Sequence, residues 1–180
     1  MAIRDIITAP DPRLKVKCDP VATVDDGVRA LMDDLVATMF SVPGIGLAAP
    51  QVGVRQRVIV VDAGGGAVGK REPMCFANPR ILWASDETQV CEEGCLSLPD
   101  QFAEVTRPAG IKLGYLDRGN QAQVLDASGP FATCIQHEID HLEGILFVDY
   151  LSVLKRGIIL RRLVKARKSQ AQKVAVGAGA

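Results

Sequence analysis

The sequence predicts an α+β domain: short, mostly antiparallel strands packed around a central His-Glu-x-x-His helix, with a further helix at the C-terminal end. Three observations lead there. Apolar residues between 25 and 40 recur at spacings of three and four. Apolar runs of strand length, punctuated by Gly, Pro, Asn and Asp, fill much of 58–126. The stretch CIQHEIDHLEGIL (134–146) then places the chain's two histidines, His137 and His141, four residues apart.

The elements follow in chain order. In DDGVRALMDDLVATMF (25–40), Val28, Leu31, Met32, Leu35, Val36, Met39 and Phe40 form one helical face. SVPGIGLAAPQVG, with Pro and Gly near both ends, is irregular or extended. RQRVIVVDAGGG is a buried strand ending in a glycine loop. MCFANPRILWAS, TQVCEEGCLSLP and AEVTRP are β-like, and GIKLGYLDRGNQAQVLD is a hairpin turning at Asp117 to Asn120. Ser128-Gly129-Pro130 starts the motif helix, which stops near Gly144. The last helix begins around Ser152, with Val153, Gly157, Leu160 and Val164 as its apolar stripe, and AQKVAVGAGA is a low-complexity end.

Composition narrows the functional classes. The chain has 180 residues, 48% of them apolar, and no net charge, which suits one domain with a real core rather than disorder. No apolar run reaches 18 residues, and MAIRDIITAPDPRLK has no apolar signal core, so the expectation is a cytoplasmic protein without a membrane span. Five cysteines without framework spacing suit reduced thiols. Residues 1–150 hold 13 basic and all 21 acidic side chains, a net of −8, whereas residues 151–180 hold eight basic side chains and no acid. An acidic body with a basic tail points to an anionic partner for the tail.

The His pair carries the chemistry. Residues four apart share a helix face about 5–6 Å apart at Cβ, so His137 and His141 can meet on one metal ion. Glu138, beside them, stands where a general base acts on water activated by that ion. A catalytic ion needs a third protein ligand. No Asp or Glu follows Asp149, and the third-His position of metzincin proteases holds Phe147, so the ligand comes from upstream. CEEGCLSLP offers Cys95, with Cys91 as competitor. A closed structural site of Cys91, Cys95, His137 and His141 is the rival. It is opposed by the about 13 Å that separate residues four apart on a strand, and it leaves Glu138 without a task. The pattern G-x-G-x-x-A at Gly44, Gly46 and Ala49 is not a dinucleotide site, because the helix precedes it and the strand follows. Those glycines instead suit a backbone that approaches a ligand closely.

GIGLAAPQVG (44–53), EGCLSLP (93–99) and QHEIDHLEGILF (136–147), with DPRL (11–14) and VDYLS (148–152), together resemble the signature motifs of bacterial-type peptide deformylases, in order and over most of the chain. The resemblance implies a catalytic domain over 1–168 with a tail at 169–180. It implies a metal-dependent hydrolase that removes formyl from the N-terminal methionine of newly made polypeptides and releases formate. Cys95, His137 and His141 would hold the metal, Fe²⁺ in the cell with Zn²⁺, Ni²⁺ or Co²⁺ able to replace it. Glu138 would be the general acid/base, and Gln51 with the Leu96 N–H would steady the formyl oxygen. Gly44, Ile45, Gly46, Glu93 and Cys134 would line the substrate. Nascent chains would be the partners, with the ribosome reached through the basic C-terminal helix and no sequence-specific nucleic-acid binding. Phe102 stands where some relatives carry Arg. Cys91, Pro130 and Thr133 fall where pocket-lining residues are expected. A metallopeptidase and a non-enzymatic metal-stabilised module are the competing classes, disfavoured by the missing downstream ligands and by the intact Glu138 and Gln51.

Overall fold

The computed structural model describes residues 1–64 and 71–177, with side chains to residue 169. The first long element is helix α1 (Asp26–Ser41), capped by the Asp25 carboxylate, which accepts from Val28 N. Val28, Leu31, Met32, Leu35 and Met39 bury its inner face, and Val36 and Phe40 flank it. Strands β1 (Gly46–Ala48), β2 (Val58–Asp62), β3 (Pro73–Ala84), β6 (Gly110–Leu116) and β7 (Ala122–Ser128) form one antiparallel sheet in the order β1-β2-β3-β6-β7. Strands β4 (Thr88–Cys95) and β5 (Leu98–Pro108) pair separately as an antiparallel hairpin. Helix α2 (Gly129–Leu142) follows β7, and α3 (Val153–Gly177) ends the described chain.

The unbroken apolar run of β2 is explained by burial on both faces. Val58 and Val60 face α1, whereas Ile59 and Val61 join the core under α2 with Phe76, Ile111, Leu113, Ala132 and Ile135. Fully burying each such side chain contributes about 1.5–3 kcal/mol, so β2 is the centre of a helix–sheet–helix sandwich. A third core gathers Leu98, Val105, Leu146, Phe147 and Val148 with Ile159 and Leu163 of α3.

The α+β class and the helix placements stand as expected, with two differences of detail. Residues 98–102 continue the AEVTRP run into one 11-residue strand, because Leu96-Ser97 makes a tight turn. The glycine loop after β2 falls mostly on residues outside the described ones. The stripe expected on the last helix is displaced. Val153 is 90% exposed, while Ile159 and Leu163 are buried and Leu160 partly so. Both sets are valid helical faces, and the seat offered by β5 and the turn at Phe147–Tyr150 selects the second. The backbone stays helical through Gly177, past the expected boundary at 168.

Asn78, at φ 49°, breaks the β3–β6 register and clamps Val21 with both ends of its amide, at 2.9 and 2.8 Å. At the end of α2, Glu143 pairs with Arg57 and with Lys17 (2.8 Å for the latter), and these partners hold its carboxyl below the usual carboxylate range. A depressed folded pKa contributes stability above the unfolded value, and that stability is lost as pH falls through the folded one. Glu143→Gln should therefore melt about 1–3 °C lower at pH 7, for a partly exposed pair worth up to about 1 kcal/mol. The gap should close below about pH 4. Melting curves at both pH values check it; an equal gap at both contradicts the ion-pair account.

Candidate metal centre

The residues of the site are set by a strand lying along a helix. Inward positions of β4 recur every two residues, Gln89, Cys91, Glu93 and Cys95, a rise of about 6.7 Å per step. One face of α2 recurs every four residues, Gly129, Thr133, His137 and His141, a rise of about 6.0 Å per step. The two repeats keep pace. Gln89 Nε2 donates to Gly129 O (2.9 Å) and Thr133 Oγ1 (2.8 Å), and the Thr133 hydroxyl donates to Cys91 Sγ (3.6 Å). Glu93 Oε2 meets His137 Nδ1 at 2.8 Å, and Cys95 Sγ lies 3.3 Å from His141 Nε2.

One donor atom each from Cys95, His137 and His141 falls within 4.8 Å of the others, the one such cluster among the described residues. Cys91 is not part of it. It shares the inward face of β4 with Cys95 but sits two steps back, beside Thr133. The four-ligand closed site is therefore not formed. For a tetrahedral ion with bonds of about 2.3 Å to sulfur and 2.0–2.1 Å to nitrogen, sulfur and nitrogen should be about 3.6 Å apart. The Cys95–His141 separation is close to that. Because Glu93 engages His137 Nδ1, the Nε2 of that ring is left to face the cluster. The donor set thus fits a divalent ion.

Glu93, expected to line the substrate, lies between Arg107 and His137. It is 5% exposed, and both its oxygens are engaged, by the Nε and Nη2 of Arg107 (3.0 Å for the latter) and by His137. Burial alone would raise its pKa, but Arg107 and His137 outweigh that and hold it at about 2. Its carboxylate is a fixed charge against the His137 ring. Glu138 has the opposite environment. Burial pushes its carboxyl up to about 7, and its Oε2 has no hydrogen-bond partner among the described residues. The two imidazoles are also driven apart. Cys95 and Glu93 raise the pKa of His137 against the effect of burial, whereas burial and the His137 charge lower that of His141.

Gln51 is 1% exposed. Its Oε1 accepts from Ala48 N (2.8 Å), so its amide nitrogen is turned to Ser97 Oγ (3.1 Å) and Cys95 Sγ (3.6 Å). Leu96 occupies the tip of the β4–β5 hairpin, with its side chain against Gly44. Gly44 and Gly46 bracket Ile45, whose carbonyl accepts from Asp62 N (2.8 Å) and from the buried Cys134 thiol (3.5 Å). Phe102 lies across Gly94, its cross-strand partner, and is 64% exposed.

Sequence reasoning missed Arg107, Asp140, Tyr150 and Ser97. Arg107 had a findable signal. It continues the period-two series Ala103, Val105, Arg107 on the inward face of β5, and a cation at an inward strand position needs a buried partner.

Comparison with known proteins gives one consistent result. Residues 3–157 match the family model described as polypeptide deformylase. A peptide deformylase of Methylocella silvestris is 52% identical over 96% of this chain and 89% of its own length. One from Phenylobacterium zucineum is 53% identical over 94% of this chain and 99% of its own. The crystal structure of peptide deformylase from Ehrlichia chaffeensis superposes with a TM-score of 0.88 at 36% identity, covering 94% of this chain and 99% of that one. A Legionella pneumophila peptide deformylase superposes at 0.87 with 41% identity, covering 94% and 98%.

A Cβ at Gly46 would lie 2.4 Å from Glu138 Oε1 and 2.8 Å from Cys134 Sγ. Neither neighbour is a free chain end in solvent. Gly46→Ala should cost about 1–3 kcal/mol by overpacking and lower the melting temperature by about 3–10 °C. Unchanged melting would show that β1 and α2 are not in such close contact.

Proposed function

The chain belongs to the polypeptide deformylase family, and on that premise we propose that it hydrolyses the formyl amide of N-formylmethionyl nascent chains at a single divalent ion held by Cys95, His137 and His141. The observation that carries the reading is the convergence of those three donors beside the buried Glu138 carboxylate, which keeps one oxygen unengaged. A divalent ion there would acidify a water and polarise the formyl oxygen. Glu138 takes the water proton and delivers it to the methionine nitrogen as the C–N bond breaks, leaving formate and a free amine. A carboxyl near 7 is matched to both halves of that transfer. The Gln51 amide, aimed by its bond to Ala48, and the Leu96 N–H receive the charge that builds on the formyl oxygen; one such donor is worth about 2.7–4 kcal/mol.

Strand β1 is the edge of its sheet. Its backbone at 44–48 can bond a peptide laid alongside, a recognition mode that tolerates any sequence. Gly44, Ile45, Gly46 and Cys134 form that wall, Cys91, Pro130 and Thr133 border the methionine pocket, and Glu93 holds His137. A thiolate with two imidazoles accommodates Fe²⁺, Co²⁺, Ni²⁺ or Zn²⁺, and Fe²⁺ is the proposed working metal. The catalytic unit is residues 1–168 and the compartment is the cytoplasm; no described helix is long and apolar enough to cross a membrane.

Formate release from formyl-Met-Ala-Ser, with metal analysis of the same samples, tests the reading. Glu138→Gln should keep its metal and lose at least about a hundredfold in rate. Cys95→Ala should lose both metal and activity, and Cys91→Ser neither. A Glu138→Gln rate within tenfold of the parent, or equal metal loss in both cysteine variants, would refute it.

The basic helix α3 is proposed to meet ribosomal RNA. Ile159 and Leu163 seat it on the body, Arg156 pairs with Asp149 (3.1 Å), and Arg161, Arg162, Lys165 and Lys168 are exposed. Phosphate contacts weaken steeply with salt as counterions are released. Changing those four residues to Gln should abolish low-salt co-sedimentation with ribosomes while leaving turnover of short formyl peptides unchanged. Retained co-sedimentation would exclude this face as the anchor.

A further inference from the structure

Beyond Glu93 and Arg107 the polar network continues to Tyr150, on the 3₁₀ turn Phe147–Tyr150 that follows α2. The Tyr150 hydroxyl donates to Asp140 Oδ2 at 2.9 Å, the oxygen that also accepts from Arg107 Nη1 at 2.9 Å. The Tyr150 ring lies against the Arg107 guanidinium, 5.0 Å from Cζ to centroid. Arg107 Nε and Nη2 hold Glu93, and Glu93 holds His137 Nδ1. We infer that Tyr150 is a positioning residue for the metal centre: by clamping Arg107 against Asp140 it fixes the Glu93–His137 hydrogen bond, and with it the orientation and tautomer of a ligand ring it never touches. The inference rests on the metal-site reading above.

The Arg107 side chain is 5% exposed although its tyrosine cover is 50% exposed, so the ring separates the guanidinium from solvent. Water admitted there would raise the local dielectric and weaken the hold of Arg107 on Glu93. The hydroxyl has a separate task. Without it, Asp140 Oδ2 loses one of its two donors, and the carboxylate is freer to turn from Arg107 towards water. The turn that carries Tyr150 is itself fixed. Asp149 Oδ2 accepts from Leu146 N (2.8 Å), and the buried Phe147 stacks on the His137 ring at 6.4 Å between centroids and 25° between planes. A loosened Glu93 lets the His137 ring swing and its Nε2 lone pair miss the ion. Partners of this kind are worth about 10–100-fold in metal affinity elsewhere.

The test measures how fast metal leaves the loaded protein for an excess of chelator, together with melting of the metal-free protein and steady-state kinetics on formyl-Met-Ala-Ser. Tyr150→Leu, which removes ring face and hydroxyl, should release metal about tenfold faster. Tyr150→Phe, which restores the ring alone, should release it about threefold faster. KM and metal-free melting should stay at parental values. A parent that takes up metal and variants that release it at the parental rate overturn the inference alone. So does faster release that appears only alongside a lowered metal-free melting temperature. A parent that takes up no metal overturns the underlying site reading and this inference with it.

Discussion

A strand can run beside a helix and stay in register only while their repeats agree. Two residues of β4 advance about as far as four residues of α2. Over three such steps the mismatch is small enough for Gln89, Cys91, Glu93 and Cys95 each to meet a partner on the Thr133–His137–His141 face. The whole centre depends on this. A slip of one residue in β4 would turn Glu92 and Gly94 inward and send both Glu93 and Cys95 to solvent. Gln89, at the start of the ladder, is tied to the first turn of α2 through Gly129 O, and the tight turn at Leu96-Ser97 ends the ladder just beyond Cys95.

Two carboxylates close to the same imidazole illustrate how environment assigns tasks. Glu93 and Glu138 are both almost fully buried. Glu93 meets a guanidinium and an imidazole and is held at about 2; Glu138 meets no cation directly and rises to about 7. Charge can be kept permanently on the first because Arg107 compensates it. The second has no such partner, and burial favours its neutral form. Arg107, anchored in turn by Asp140 and Tyr150, is thus the element that lets a charged carboxylate remain in the interior.

Close backbone approach is the other recurring device. Gly46 lets β1 come within van der Waals reach of Glu138 and Cys134, and Gly94 gives its space to the Phe102 ring from the opposite strand. In both places the missing side chain brings an element of the site closer to its neighbour than alanine would permit.

Much was legible in the sequence because it is local. Helical spacing located α1 and the motif helix, turn residues located the β6–β7 hairpin, and two histidines four apart have to share a face once they are on a helix. Elimination left a cysteine of CEEGCLSLP as the candidate third donor, and a cysteine of that segment does lie beside the two histidines. Four decisions needed the tertiary structure. Cys91 and Cys95 are equivalent by strand parity, and only the docking of β4 on α2 brings one of them to the histidines. The partner of Glu93 could not be read from its own segment, because Arg107 lies on the neighbouring strand. The face of α3 that is buried is set by its seat, not by its own pattern, so Ile159 and Leu163 displace the stripe beginning at Val153. The Arg107–Asp140–Tyr150 cluster joins a strand, a helix and a turn up to 43 residues apart. Period and spacing describe one segment's own geometry, whereas partners drawn from different segments are fixed only when the segments meet.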